Sequence, residues 1–218
     1  MDSQETAVVN YNLNMITIVF QAGGKSTRMG KDKALLPFLG IPLIKRLQDR
    51  FSDMGDELLV ITNDFSGYQD LAVPLYKDII PDRGALGGLY TALSISKNPL
   101  VGLIAADLPF ASPALLAHLI KILLTSGAEA AIPSTERGLE PLHAVYRRDT
   151  SLPLVKRAID QNLWRMNSWF DQAEILILTP EETQKVTASK YTFLNLNTPE
   201  DLQMAEKLAL DLDLDLKL

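Results

Sequence analysis

The chain has 218 residues, 47% of them hydrophobic and 22% charged, with a formal net charge of −6 and no cysteine. These values describe an ordinary globular chain and exclude disulfides, thiolate metal sites and cysteine nucleophiles. An acidic balance argues against nucleic acid as a partner, and no apolar run approaches the ~20 residues of a membrane span. A cytoplasmic chain with no membrane partner is therefore expected.

Residues 1–14, MDSQETAVVNYNLN, lack the basic and apolar regions of a secretory signal and read as a poorly ordered extension. Apolar runs predict strands at 15–20 (MITIVF), 57–62 (ELLVIT), 100–106 (LVGLIAA), 129–133 (EAAIP), 142–146 (LHAVY) and 174–178 (EILIL). Helical patterns lie between most of them. At 42–54, Leu43, Leu47 and Phe51 recur every four residues. Segment 86–96 follows a turn signal at Pro81 to Gly84. Segment 112–127 opens with Ser112 as N-cap and Pro113 at the first helical position, closing on Gly127. Segment 198–210 opens the same way, with Asp201 at the capping-box position. Alternating strands and helices predict a largely parallel α/β sheet in one domain, 15–210. The remaining residues, 211–218, read as a frayed tail, with an added edge strand or a partner contact as the alternatives.

The most informative segment is QAGGKSTRMGKDKALLP, Gln21 to Pro37. A strand feeds two glycines, Gly23 and Gly24, and then Lys25, Arg28, Lys31 and Lys33. Glycines let backbone N–H groups approach an anion closely, and Lys and Arg supply charge. The alternative is a basic surface loop with no ligand. Walker A fails, because Val19 stands where its first glycine belongs. The dinucleotide fingerprint fails too, because Gly23 and Gly24 are adjacent.

Asp107 ends the strand-like run LVGLIAA, and Pro109 stops further sheet pairing. A carboxylate at a strand's carboxyl end suits Mg²⁺ with substrate phosphates, or caps a turn. Asn63 follows ELLVIT, and Asp78 follows the short strand-like VPLY, where it could accept from a sugar or base. Gly84, Gly87 and Gly88 lead into a helix, either to let backbone near a ligand or to pack it. His118 falls within a helix and reads as a surface or packing residue. His143 lies in LHAVY beside Arg147 and Arg148, which either reach an anionic ligand or form a solvated strand end. Trp164 and Trp169 read as helix packing residues, with stacking on a ring as the alternative.

Together these segments resemble a family. QAGGKSTRMGKDKALLP is similar to the signature L-A-G-G-x-S-x-R-M-G-x-D-K-A-L-L of nucleotidyltransferases, and AADLPF to their metal-binding Asp strand. Asp32–Lys33, EPLHAVYRR (140–148) and FLNLNTPEDL (193–202) resemble the molybdenum cofactor guanylyltransferase branch. The resemblance spans residues 16–209. It implies a three-layer, Rossmann-like nucleotidyltransferase fold with a mostly parallel mixed sheet. It also implies Mg²⁺-dependent transfer of GMP from GTP to molybdopterin carrying molybdenum. Molybdenum-insertion proteins and molybdoenzyme chaperones are further implied partners.

Position by position, the implied nucleotide-binding residues are Gln21, Ala22, Gly23, Gly24, Lys33, Asn63, Asp78 and Asp107, with Asp107 also on Mg²⁺. Arg28, Lys33 and Asp107 are the implied catalytic residues. Asn195 and Asn197 match paired asparagines near the pterin side, where Arg147 is a further candidate. The chain departs from the family at Gln21, where leucine is common, and at Ala85, where proline is usual. A cytidylyl- or uridylyltransferase, or a non-catalytic nucleotide sensor, would share part of this pattern.

Overall fold

In the computed structural model the described residues are 16–22, 32–187 and 189–211. Readings placed on residues 1–14, on Gly23, Gly24, Lys25, Arg28 and Lys31, and on the tail after Asp211 lie outside them.

The first apolar run forms β1 (Ile16–Gln21), buried at every position except its last. Its side chains alternate: Ile16, Ile18 and Phe20 enter one apolar layer, and Val19 enters the other. A 3₁₀ turn, η1 (Lys33–Leu35), then leads into a small hairpin of β2 (Pro37–Phe38) and β3 (Ile41–Pro42). The chain continues through α1 (Leu43–Arg50), β4 (Glu57–Ile61), β5 (Leu75–Tyr76), α2 (Gly84–Ile95), β6 (Leu100–Ala105), α3 (Pro113–Leu124) and β7 (Ala130–Thr135). It finishes with β8 (Gly138–Leu139), β9 (His143–Arg147), α4 (Arg148–Asp160), η2 (Phe170–Gln172), β10 (Ile175–Leu178), α5 (Pro180–Thr187) and α6 (Pro199–Asp211).

The main sheet runs β10-β7-β9-β6-β1-β4-β5, with β8 paired to β7. Neighbours are parallel except where β9 lies antiparallel between β6 and β7 and where β8 pairs antiparallel with β7. Residues of α1, α3 and α6 pack on one face, and residues of α2 and α4 on the other. The result is the expected three-layer α/β arrangement with a mostly parallel mixed sheet.

Helix boundaries follow their caps. Ser112 accepts from the Leu115 N–H, as its N-cap reading requires, but α3 ends at Leu124, capped by Thr125, before Gly127. Asp201 and Thr198 form the reciprocal capping box of α6: Asp201 Oδ2 accepts from Thr198 N at 2.9 Å, and Asp201 N donates to Thr198 Oγ1 at 3.1 Å. The sequence pattern predicts nothing over α4, which carries Pro153 inside it.

Strand order sets the site. From β1 the chain moves outward to β4 and β5, then returns to the other side of β1 as β6. In open α/β sheets such a reversal leaves a crevice beyond the carboxyl ends of the two central strands.

Candidate nucleotide site at the β1–β6 crevice

Four of the predicted site residues sit at this one edge. Gln21 ends β1, Asn63 follows β4, Asp78 follows β5 and Asp107 follows β6. A cavity of about 250 Å³ opens there, lined by Gln21, Ala22, Lys33, Gly84, Ala85 and Asp107 among others. Because β9 is reversed, its first residues share the edge, and Leu142 also lines the cavity.

Three segments distant in sequence converge at the cavity. Lys33 Nζ lies 3.2 Å from Asp107 Oδ2 and donates to Asn197 Oδ1 at 2.6 Å. The ammonium thus stands between a carboxylate and an amide oxygen, with only 21% of the lysine side chain exposed. Its partners are themselves held. Leu196 N donates to Asp107 O at 3.0 Å, which joins the 193–202 segment to the end of β6. Asp201 Oδ2 accepts from Asn197 N at 2.9 Å, so the α6 cap also fixes the start of Asn197.

Asp32 anchors Lys33 from the other side. Its Oδ1 accepts from Ala34 N at 3.0 Å, capping η1, and its Oδ2 accepts from Tyr68 OH at 2.6 Å. Tyr68 is 1% exposed. Burial, reinforced by the Asp32 carboxylate, pushes the Tyr68 phenol far up from its ordinary range, so it stays a donor. Arg50, at the end of α1, donates to Pro109 O at 2.6 Å and Ala111 O at 3.3 Å, pinning the turn that follows Asp107. Burial, with a smaller push from Arg46, lowers the Arg50 guanidinium to about 10. Sequence reading finds neither Tyr68 nor Arg50, since each acts through a residue far away in the chain.

Asn63 and Asp78 are bound to each other: Asn63 Nδ2 donates to Asp78 Oδ2 at 2.8 Å, and Asp78 N donates to Asn63 Oδ1 at 3.1 Å. Burial raises the Asp78 carboxyl, partly offset by Asn63, and its Oδ1 is buried without a hydrogen-bond partner among the described residues. The peptide between Gln21 and Ala22 is committed to the sheet, since Ala106 N donates to Gln21 O at 3.0 Å and Ala22 N to Ile61 O at 2.8 Å.

A family model described as MobA-like NTP transferase domain matches residues 18–175. The chain belongs to the MobA-like NTP transferase family. A probable molybdenum cofactor guanylyltransferase of Natronomonas pharaonis is 31% identical over 198 residues, 88% of this chain and 96% of that relative. One of the same description from Chloroflexus aggregans is 34% identical over 198 residues, 88% and 94% of the two chains. Among solved structures, molybdopterin-guanine dinucleotide biosynthesis protein A from Archaeoglobus fulgidus superposes with a TM-score of 0.78 over 89% of this chain and 99% of that one. At 24% identity, that likeness speaks to the fold alone.

Within this NTP transferase fold, several expected site residues lie elsewhere or do other work. Arg147 pairs with Leu100, at the opposite end of β6 from Asp107. Its guanidinium donates to Leu123 O at 2.8 Å, Ser126 O at 3.1 Å and Ala128 O at 3.1 Å, closing the C-terminal end of α3. The pterin-side reading of Arg147 is corrected on that geometry: the arginine satisfies helix-end carbonyls. His143 is fully buried, its Nε2 accepting from Ser112 N at 2.9 Å between the rings of Phe51 and Phe193. Burial lowers its pKa to about 4, so the ring is neutral and structural. Trp164 and Trp169 do not share a helix. Trp169 is 0% exposed against Tyr146 and Phe170, whereas Trp164 is 55% exposed with the Arg83 guanidinium 4.3 Å above its ring.

The residues present fit Mg²⁺ in a limited sense. Among the described residues no group of three or more His, Cys, Asp or Glu could hold a metal by itself. Mg²⁺, however, is commonly held by one or two carboxylates together with substrate phosphate oxygens. Asp107 offers such a carboxylate: Lys33 engages Oδ2, and among the described residues no hydrogen bond engages Oδ1. No helix among the described residues is long and apolar enough to cross a membrane.

Proposed function

We propose that this chain transfers GMP from GTP to the terminal phosphate of molybdenum-loaded molybdopterin, forming the guanine dinucleotide cofactor and releasing pyrophosphate in the cytoplasm. The observation that carries this reading is the junction of Lys33, Asp107 and Asn197, which joins the nucleotide loop, the Asp strand and the Asn-x-Asn segment at one cavity. The guanylyltransferase names of relatives covering 88% of the chain support the same reaction.

An oxygen of the pterin's terminal phosphate attacks the α-phosphorus of GTP, and the bond from that phosphorus to the bridging oxygen of the leaving pyrophosphate breaks. A phosphate monoester is already anionic, so no general base is required. The chain's contribution is positioning and charge. Lys33 meets the developing charge on the pyrophosphate, held in place by Asp107 and Asn197. Arg28, whose position lies outside the described residues, would add a second cation. Asp107 would hold Mg²⁺, which when bound neutralises phosphate oxygens and polarises them. Asn63 and Asp78 would take the nucleoside, Asp78 through its unpartnered oxygen.

The acceptor side has room as well. A cavity of about 140 Å³ shares Ala85, Ala105 and Leu142 with the nucleotide cavity. It shares Glu140 and Asn195 in turn with one of about 630 Å³, lined also by Arg137, Lys190, Tyr191 and Phe193. On this reading Asn195, which lines both of these cavities, would stand between nucleotide and acceptor, with Arg137 and Lys190 as cations for the acceptor phosphate and Tyr191 and Phe193 as rings for a pterin. The test is pyrophosphate release by the full chain with Mg²⁺ and molybdenum-loaded molybdopterin, comparing GTP, CTP and UTP. Release with GTP alone supports the reading; release with CTP alone replaces it with a cytidylyltransferase, and release with none favours a nucleotide sensor.

A further inference from the structure

Gln21 stands where leucine is common in the family, and its side chain has an unusual setting. Alternation along β1 turns Gln21 toward the α2 face, the side of Val19. There the carboxamide lies on the bare backbone of Gly88. A Cβ added to Gly88 would stand 1.9 Å from Gln21 Nε2, 2.2 Å from Cδ and 2.6 Å from Oε1. Gly88 therefore makes the space that the Gln21 amide occupies.

Among the described residues nothing uses that amide: Gln21 Oε1 is buried with no hydrogen-bond partner there, and no hydrogen bond from them engages Nε2. A buried polar group left unpaired costs stability, and a leucine there would avoid that cost. The peptide between Gln21 and Ala22 is already committed to the sheet, its O and N bonded to Ala106 and Ile61. Gln21 also lines the nucleotide cavity, at a wall it shares with Gly84 and Ala85, the small residues that open α2. Lys33 and Asp107 line the same cavity and mark where phosphates go, which leaves this wall for the base.

We propose that the Gln21 carboxamide is a specificity-determining group that pairs with the nucleobase edge, its oxygen accepting from the guanine N1–H and its NH₂ donating to O6. A carboxamide carries one acceptor and one double donor side by side, which matches that adjacent pair. Gly88, lacking a Cβ, puts no side chain against that amide. The inference rests on the guanylyltransferase reading for the identity of the base.

The test uses the full chain with Mg²⁺ and titrates GTP, CTP, UTP and 2-aminopurine riboside triphosphate, which lacks both O6 and the N1 proton. Wild type is expected to prefer GTP over the 2-aminopurine nucleotide by about tenfold or more, as one lost buried pairing predicts. Gln21→Met, which keeps the shape without polar atoms, should bring the two within about twofold, and its Tm without ligand should rise by ~2–4 °C. Gln21→Leu serves the same purpose if the methionine variant fails to fold. A GTP preference that survives in the variants, or equal weakening of both nucleotides, overturns the proposal. Binding of CTP in place of GTP by wild type overturns the guanylyl reading instead. Gln21 is then judged on whether its loss erases the preference for CTP over UTP, and an intact preference overturns it.

Discussion

Lys33 and Asp107 lie 74 residues apart in the chain, yet their charged groups meet at 3.2 Å at the mouth of the β1–β6 crevice. Neither partner is deeply buried, with 21% and 25% of their side chains exposed, so the pair contributes little to folding. In the proposed reaction its value is chemical: it would hold a cation and a carboxylate where phosphate charge develops.

Asp107→Asn keeps the shape of the side chain and removes its charge. Transfer should fall by two to three orders of magnitude, about 3–4 kcal/mol by analogy with loss of one electrostatic stabiliser. Thermal unfolding should move by no more than a few °C, since an ion pair still open to solvent at a crevice mouth is worth about 1 kcal/mol. Steady-state pyrophosphate release together with a melting curve checks both.

Asn197 is expected to act through Lys33. In Asn197→Ala the lysine loses its 2.6 Å acceptor and, among the described residues, keeps only Asp107. The expected result is a kcat about tenfold lower, with the KM for the nucleotide changed less than kcat, as loss of positioning predicts. A rise in the nucleotide KM at unchanged kcat would place Asn197 in ground-state binding instead.

Tyr68→Phe removes a single hydroxyl, the one that donates to Asp32 at 2.6 Å. A hydrogen bond to a charged group is worth ~1.5–3 kcal/mol, so denaturant unfolding should show a loss of that order. Lys33 follows Asp32 directly in η1, so kcat should fall as well, by about tenfold. Stability loss with unchanged kcat would separate the η1 anchor from catalysis.

His143 gives the fold a pH dependence. Its pKa in the folded chain lies near 4, below the ordinary 6.5, because burial disfavours the charged ring. The unfolded chain therefore takes up the proton first as pH falls. The stabilising contribution is full above pH 6.5 and is lost progressively toward pH 4. Between about pH 7 and about pH 5.5 this single group should cost ~1 kcal/mol. His143→Gln, whose side-chain oxygen can still accept from Ser112 N, should lose that component of the pH slope in urea unfolding.

The six longer strands were legible because each is a short, nearly continuous apolar run, as strands covered on both faces require, whereas the two-residue β2, β3 and β8 carry no such run. The ends of α3 and α6 were legible through Ser112, Pro113 and the Thr198–Asp201 box, which act locally. α4 was not, because Pro153 interrupts its pattern and no side chain caps its start; contacts with α2 and β9 sustain it instead. In the candidate site, residue types and strand ends pointed to Asp107, Asn63 and Asp78. The meeting of Asn197 with Lys33 was invisible to spacing, as were the anchors Tyr68 and Arg50, since tertiary structure alone brings them together. Arg147 misled for a related reason: an arginine after a strand looks like an anion ligand until the carbonyls of α3 are seen around it.

The most direct test follows the label of [α-³²P]GTP in a single turnover with Mg²⁺ and molybdenum-loaded molybdopterin, comparing wild type with Asp107→Asn and Lys33→Ala. The account predicts that wild type moves the label into the pterin dinucleotide while both variants, folded and with near-normal melting temperatures, leave it in GTP. Transfer of label at the wild-type rate by Asp107→Asn, or transfer from labelled CTP in place of GTP by wild type, would contradict it.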